Sequence, residues 1–157
     1  EDIQTFFSPK GGCQVGVISE IEKANETIDI AMYYFTSRKI AQSLLAAKQR
    51  GVVIRAVFDK SQKQEFYSKA RYLSHKGIAV RYYPGPGLMH NKFALIDKTI
   101  LITGSFNWTP TAENQNEENM LILTDSRVIG KYISRFEYLW KVCQPEWTVL
   151  AKQWNIH

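Results

Sequence analysis

Between residues 89 and 119 the sequence places unusual polarity in what otherwise reads as strand: Met89-His90-Asn91-Lys92-Phe93-Ala94-Leu95-Ile96-Asp97, then Gly104-Ser105-Phe106-Asn107, then Glu118-Asn119. Side chains alternate faces along a strand, so His90 and Lys92 share one face while Asn91 and Phe93 take the other. A neutral imidazole has a lone pair that can attack phosphorus, and a neighbouring ammonium supplies positive charge for phosphate oxygens. Gly104 lets the backbone approach an anion, and Ser105 and Asn107 add hydroxyl and amide donors. Such donors, acting with the lysine, can do the charge stabilisation that a divalent ion does elsewhere, so the pattern calls for no metal and no other cofactor. The second imidazole nitrogen needs an acceptor, and the acidic run Glu113, Glu117, Glu118 offers candidates. Taken singly, each piece has an ordinary reading: a satisfied histidine, a solvated edge lysine, a Gly-Ser turn. Their ordered combination points to phosphoryl chemistry.

Strands must hold these residues, and the chain supplies them. Ile3 to Phe7 reads as an opening strand closed by Ser8-Pro9 and Gly11-Gly12, and Val17, Ile18, Ile21 and Ala24 recur at helical spacing from Cys13 to Asn25. Thr27 to Phe35 alternates as a strand, Ser37 can cap a helix over Arg38 to Arg50, and Gly51 leads into the apolar strand Val52 to Phe58. The spacing predicts a helix over Ser61 to Lys76 and a strand over Ile78 to Tyr83, ended by Pro84-Gly85-Pro86-Gly87. His90 to Asp97 and Thr99 to Thr103 flank the polar tip Asp97-Lys98 as a hairpin, Asn119 to Leu123 adds a strand, and Ser126 to Val142 a long helix. Trp147, Leu150 and Trp154 are spaced for a short helix in the tail Pro145 to His157. The alternation predicts an α/β fold, a mixed central β-sheet flanked by helices on both faces, in one domain spanning 1–157.

The chain of 157 residues carries a net charge of +5, which favours a polyanionic partner, and no stretch is apolar enough to span a bilayer. Its two cysteines, Cys13 and Cys143, lack the paired spacing of a zinc site; one bridge or two buried thiols are both open. Lys60, Lys63, Lys69, Arg71 and Lys76 cluster with only Glu65 opposing them, interleaved with Phe66, Tyr67 and Tyr72, as in a groove wall for a polynucleotide. Tyr33, Tyr34 and Phe35 at one strand end, and Tyr82 and Tyr83 at another, are candidates to stack on unpaired bases. Single-stranded DNA is therefore the expected substrate, with duplex DNA and RNA behind it. Cutting should show little sequence preference and weaken with salt.

The order His90-x-Lys92-(four residues)-Asp97, then Gly104-Ser105-x-Asn107, resembles the signature of the phospholipase D superfamily. Gly104-Ser105-Phe106-Asn107-Trp108-Thr109 with Glu118-Asn119 is similar to its small bacterial Nuc-type endonucleases, the likeness running from about Phe6 to Trp140. That resemblance implies His90 as nucleophile of a phosphohistidine intermediate and Lys92, Ser105 and Asn107 as phosphate binders. It implies Glu118 as the residue orienting His90, with Asp97 supporting the motif. The mechanism uses two histidines, and only one copy of the motif occurs here, His75 and His157 having no matching context; a homodimer with an active site shared between subunits is expected. A mitochondrial branch is expected to be more distant because it carries a cysteine-rich insertion that this sequence lacks. The alternative activity within the superfamily is a lipid phosphodiesterase acting on cardiolipin or another anionic phospholipid. Resemblance to exported bacterial relatives implies a periplasmic or surface position, with membrane association through a segment outside this sequence.

Overall fold

Strand β2 (Thr27–Met32) is buried along nearly its whole length, and its alternation sorts the interior into two layers. Ile28, Ile30 and Met32 enter one apolar cluster, whereas Ala31 enters the other and Asp29 turns to the same side as Ala31. The computed structural model describes residues 2–145, so the tail containing Trp147, Leu150 and Trp154 lies outside the described residues. Around β2 the chain runs β1 (Ile3–Ser8), α1 (Cys13–Lys23), β2, α2 (Arg38–Gln49), β3 (Val53–Asp59), α3 (Ala70–His75) and β4 (Ala79–Tyr83). It continues through β5 (Lys92–Ile96), β6 (Ile100–Gly104), α4 (Pro110–Asn114), β7 (Glu118–Leu123), α5 (Ser126–Val142) and β8 (Gln144–Pro145). The sheet order is β1-β7-β6-β5-β2-β3-β4-β8; β2, β3 and β4 pair in parallel, and every other pairing is antiparallel. This is the expected mixed sheet with helices on both faces.

Helices α1, α2 and α3 bury Val17, Ile21, Ile40, Leu44 and Leu73 against one face. Helix α5 buries Ile129, Phe136 and Leu139 against the other. Ser37 caps α2 by accepting from Ile40 N at 3.2 Å, and Asp125 caps α5 by accepting from Arg127 N at 2.9 Å and Val128 N at 3.0 Å. An ion-pair relay ties α5 to the sheet: Arg55 on β3 donates to the buried Asp29 on β2 (2.9 Å) and to Glu137 on α5 (2.6 Å). The same guanidinium lies over the Phe136 and Trp140 rings, at 5.0 and 5.3 Å from their centroids.

One expectation changes and one open alternative is decided. No continuous helix covers Ser61 to Lys76: a 3-10 turn over Lys60–Lys63 is followed by irregular chain, and α3 begins only at Ala70. Asp59 caps that tight turn by accepting from Ser61 N at 3.1 Å, and Phe66 and Tyr67 point to solvent instead of supplying a buried stripe that would carry a helix forward. The cysteines are free and on opposite sides of the sheet, Cys13 in the α1–α3 layer and Cys143 in the α5 layer. A bridge between them is therefore ruled out, and burial pushes their thiols up to about 11 and about 12.

Candidate active site

Three strand ends meet where β5 begins, β6 ends and β7 begins, and these bring together most of the polar motif. His90 stands two residues before Lys92, the first residue of β5, and the shared strand parity holds: Lys92 Nζ lies 2.8 Å from His90 Nδ1 and 3.3 Å from Nε2. His90 is exposed and Lys92 half-buried. Burial holds the Lys92 ammonium below the ordinary lysine range, with the Glu118 carboxylate opposing that shift. Tyr33 packs its ring 4.5 Å from the imidazole and lies beneath the Lys92 ammonium at 5.7 Å, so it braces the pair instead of offering a free stacking face.

Gly104 makes the next placement. A Cβ there would come 2.2 Å from the Asn119 carbonyl oxygen, so only glycine lets β6 and β7 close up at this end. Ser105 then donates to Glu118 Oε1 at 2.7 Å and accepts from Asn119 N at 3.1 Å. The chain after it folds onto the end of β2: Trp108 N donates to Tyr34 O, and Thr36 N and Ser37 N both donate to Trp108 O. Asn107 Oδ1 accepts from Tyr34 N at 3.1 Å, which turns the NH₂ end of its amide into the available donor.

The sequence expectations divide at this point. Within the single chain Glu118 accepts from Ser105 and from Asn116 (3.2 Å) and makes no hydrogen bond to its own His90 among the described residues. Asp97 stands apart from the other motif side chains, in a supporting place. It sits at the β5–β6 turn, roughly 20 Å along the extended chain from His90, and accepts from Asn25 N, Glu26 N and Thr27 N. Burial alone would raise its carboxyl, but these three donors outweigh burial and hold it below the usual carboxylate range. Asp97 therefore fixes the start of β2.

Asp59, which sequence reasoning treated only as a strand end, is the residue that holds His90's neighbourhood. Fully buried, it accepts from Met89 N at 2.9 Å with one oxygen while the other caps the 3-10 turn. The signal in the sequence was an Asp closing an apolar strand two residues before a serine.

Beside Asn107 opens a cleft of about 1070 Å³. Tyr34, Lys69 and Arg71, all expected to contact nucleic acid, line it, together with Arg38, Phe66 and Tyr67. Phe66 and Tyr67 are 88% and 69% exposed and meet edge to face at 5.1 Å. His90 and Lys92 stand outside the cleft, which reaches the motif through Asn107. Phe35 is corrected: it is fully buried, edge to face with Trp108 at 5.2 Å, and cannot meet a base. Tyr82, 1% exposed, is corrected likewise, while Tyr83 is half-buried against the α5 layer. Lys60 and Lys63 lie off the cleft, Lys63 placing its ammonium 4.9 Å from the Tyr82 ring centroid.

The profile of the family described as "Cardiolipin synthase, PLD-like domain" matches residues 17–140 of this chain. The chain belongs to the phospholipase D superfamily. Within it, the crystal structure of Nuc from Salmonella typhimurium, a phospholipase D family member, superposes with a TM-score of 0.85 at 31% identity, covering 92% of this chain and 97% of that one. The Rickettsia prowazekii protein named "Phospholipase D" is 35% identical over 135 residues, 86% of this chain and 66% of its own length. The human "Mitochondrial cardiolipin hydrolase" is 37% identical over 122 residues, 78% of this chain and 48% of its own length. The human protein thus matches a smaller share of this chain than Nuc does, 78% against 92%, at an identity of 37% against 31%. The chain spans about two thirds of the Rickettsia protein and about half of the human one. Superfamily membership classes it with phosphodiesterase-type hydrolytic enzymes.

Proposed function

We propose that this protein hydrolyses phosphodiester bonds of nucleic acid, single-stranded DNA foremost, through a phosphohistidine on His90. The observation that carries the substrate reading is the cleft beside Asn107, whose walls mix cations (Arg38, Lys69, Arg71) with exposed rings (Phe66, Tyr67). Cations follow a phosphate backbone and rings stack on bases that are not paired, so an unpaired strand uses both.

In the first step a His90 ring nitrogen attacks phosphorus, the N–P bond forms, and the P–O bond to the leaving nucleoside breaks. The departing oxygen takes a proton from a second histidine. Water then gives that histidine its proton, attacks phosphorus, and the N–P bond breaks to return His90 and release a phosphomonoester. Lys92 and the Asn107 amide hold the non-bridging oxygens, Ser105 joining them once its hydroxyl proton turns from Glu118 to the phosphate, and this charge stabilisation needs no divalent ion. Glu118, hydrogen-bonded to Ser105, fixes the hydroxyl. The second histidine comes from another copy of the chain. The motif occurs once, and His90 is exposed where a partner's imidazole can face it across a two-fold axis.

The lipid reading has its own support, in the names of the Rickettsia and human relatives. Offering single-stranded DNA, duplex DNA and cardiolipin vesicles in parallel, in excess chelator, separates the two. Cleavage of single-stranded DNA with intact lipid is expected. Lipid hydrolysis with intact DNA would overturn the substrate while keeping the chemistry.

A further inference from the structure

The outer face of α5 lies on the side of the sheet opposite the cleft and carries a second basic surface. Arg127, Lys131 and Arg135 succeed one another at i, i+4 and i+8, which on an α-helix lines the three up at intervals of roughly 6 Å. With Gly130, Ser134 and Tyr138 they line a shallow depression of about 660 Å³ with no acidic residue among the described ones in its lining. The helix's one acid, Glu137, is turned away to Arg55. Tyr138, half exposed, lies 5.0 Å from the Arg135 guanidinium.

Two features make this more than a solvated helix face. Like charges four residues apart weaken a helix by about as much as opposite charges support it, a few tenths of a kcal/mol per pair. This stripe stacks two such pairs in succession. Independently, Gly130 interrupts the helix interior at a cost of about 1 kcal/mol relative to alanine. Nothing among the described residues asks for it: its φ is not among the positive ones, and a Cβ built there meets none of their atoms within 4 Å. A glycine with open space above it, at the floor of a cationic depression, admits a ligand to the helix backbone.

We infer that this face of α5 is a second nucleic-acid-binding site, a track for the phosphates of the strand outside the cleft. Its three cations would contact successive phosphates, Gly130 would admit the backbone closely, and Tyr138 offers a ring to a base. A bilayer is a poorer fit because the apolar face of α5, Ile129, Phe136 and Leu139, is already buried on the sheet and leaves little for lipid insertion. The inference rests on α5 and stands or falls apart from the cleavage reading, because binding alone is measured.

The test is equilibrium binding of labelled oligo(dT), one strand of about 40 nucleotides and one of roughly six, over a salt series. The full chain carries His90→Ala so that nothing is cut. Replacing Arg127, Lys131 and Arg135 together by Gln, which keeps helix propensity, is expected to weaken the long strand about tenfold or more and lower its salt slope by about 2–3. The short strand, held by the cleft, should change little. Gly130→Ala keeps every charge; it is expected to raise Tm and still weaken the long strand severalfold. Long-strand affinity within about twofold of the parent, with an unchanged salt slope, would overturn the inference. So would a triple variant that loses binding to phosphatidylglycerol vesicles alone, which would make the stripe a lipid-facing surface.

Discussion

The corner formed by β5, β6 and β7 and the segment from Lys60 to Lys76 are held in opposite ways. At the corner each group of the proposed site is fixed by a neighbour: Lys92 by strand parity with His90, Ser105 by Glu118 and Asn119, Asn107 by the Tyr34 amide. In the segment the cations and rings are mostly exposed, and the backbone is regular only in one 3-10 turn and the six residues of α3. On the proposed reading, chemistry that must place atoms around phosphorus sits on the sheet, whereas a surface that grips strands of any sequence tolerates irregular chain. Asp59 joins the two, one carboxylate oxygen on Met89 N and the other on Ser61 N, so the proposed grip and the proposed nucleophile are set by one buried side chain.

The sharpest way to break this comparison is at the corner. His90→Ala should lose about 10³-fold or more in kcat with an unchanged circular-dichroism spectrum. Asn107→Ala should lose about 10²-fold, as expected for one preorganised donor to a developing oxyanion. A loss of KM alone in either variant would move those residues to the gripping class. In the segment, Phe66→Ala combined with Tyr67→Ala should do the reverse, weakening single-strand affinity about tenfold with duplex affinity and kcat nearly unchanged. Comparable losses on both substrates would mean that the rings shape the fold and not the contact.

A smaller effect separates the corner from its support. Asp97→Ala should cost about 2 kcal/mol of stability by orphaning the amides at the start of β2, with kcat unchanged wherever the protein stays folded. Because the folded carboxyl lies below its unfolded value, that contribution is present above the unfolded pKa and is lost as pH falls through the folded one. Denaturation at neutral and at acid pH checks the sign: the difference between parent and variant should shrink in acid. The finest distinction is at Lys92, whose lowered pKa makes its charge fail earlier on the alkaline side than an ordinary lysine would. The alkaline limb of kcat/KM should move to higher pH in Lys92→Arg, even if the maximum falls; an unmoved limb would assign it to another group.

How much of this was legible in the sequence follows the same division. Period-two alternation put His90 beside Lys92, and glycine followed by Ser-x-Asn located Ser105 and Asn107, because strand geometry is local and repeats every two residues. The β5–β6 hairpin was legible from Asp97-Lys98, which turn at φ 53° and 56°. What Glu118 bonds was not, since it depends on how closely β6 and β7 approach at Gly104. The cleft was read only in composition. Lys69, Arg71 and Tyr34 reach it, but Lys60 and Lys63 do not, and Phe35 looked available only because nothing local announces that Trp108 will cover it. Arg38 was missed because its neighbour in the cleft, Lys69, lies far along the chain.

One measurement bears most directly on the claim that His90 carries the phosphoryl group. A single turnover on strand labelled at the scissile phosphate, quenched in alkali where a phosphoramidate survives, can be digested and the labelled peptide sequenced. The account predicts label on the peptide containing His90, lost on brief acid treatment and absent from His90→Ala. Cleavage that proceeds with no covalent label, or with label on another residue, would contradict it.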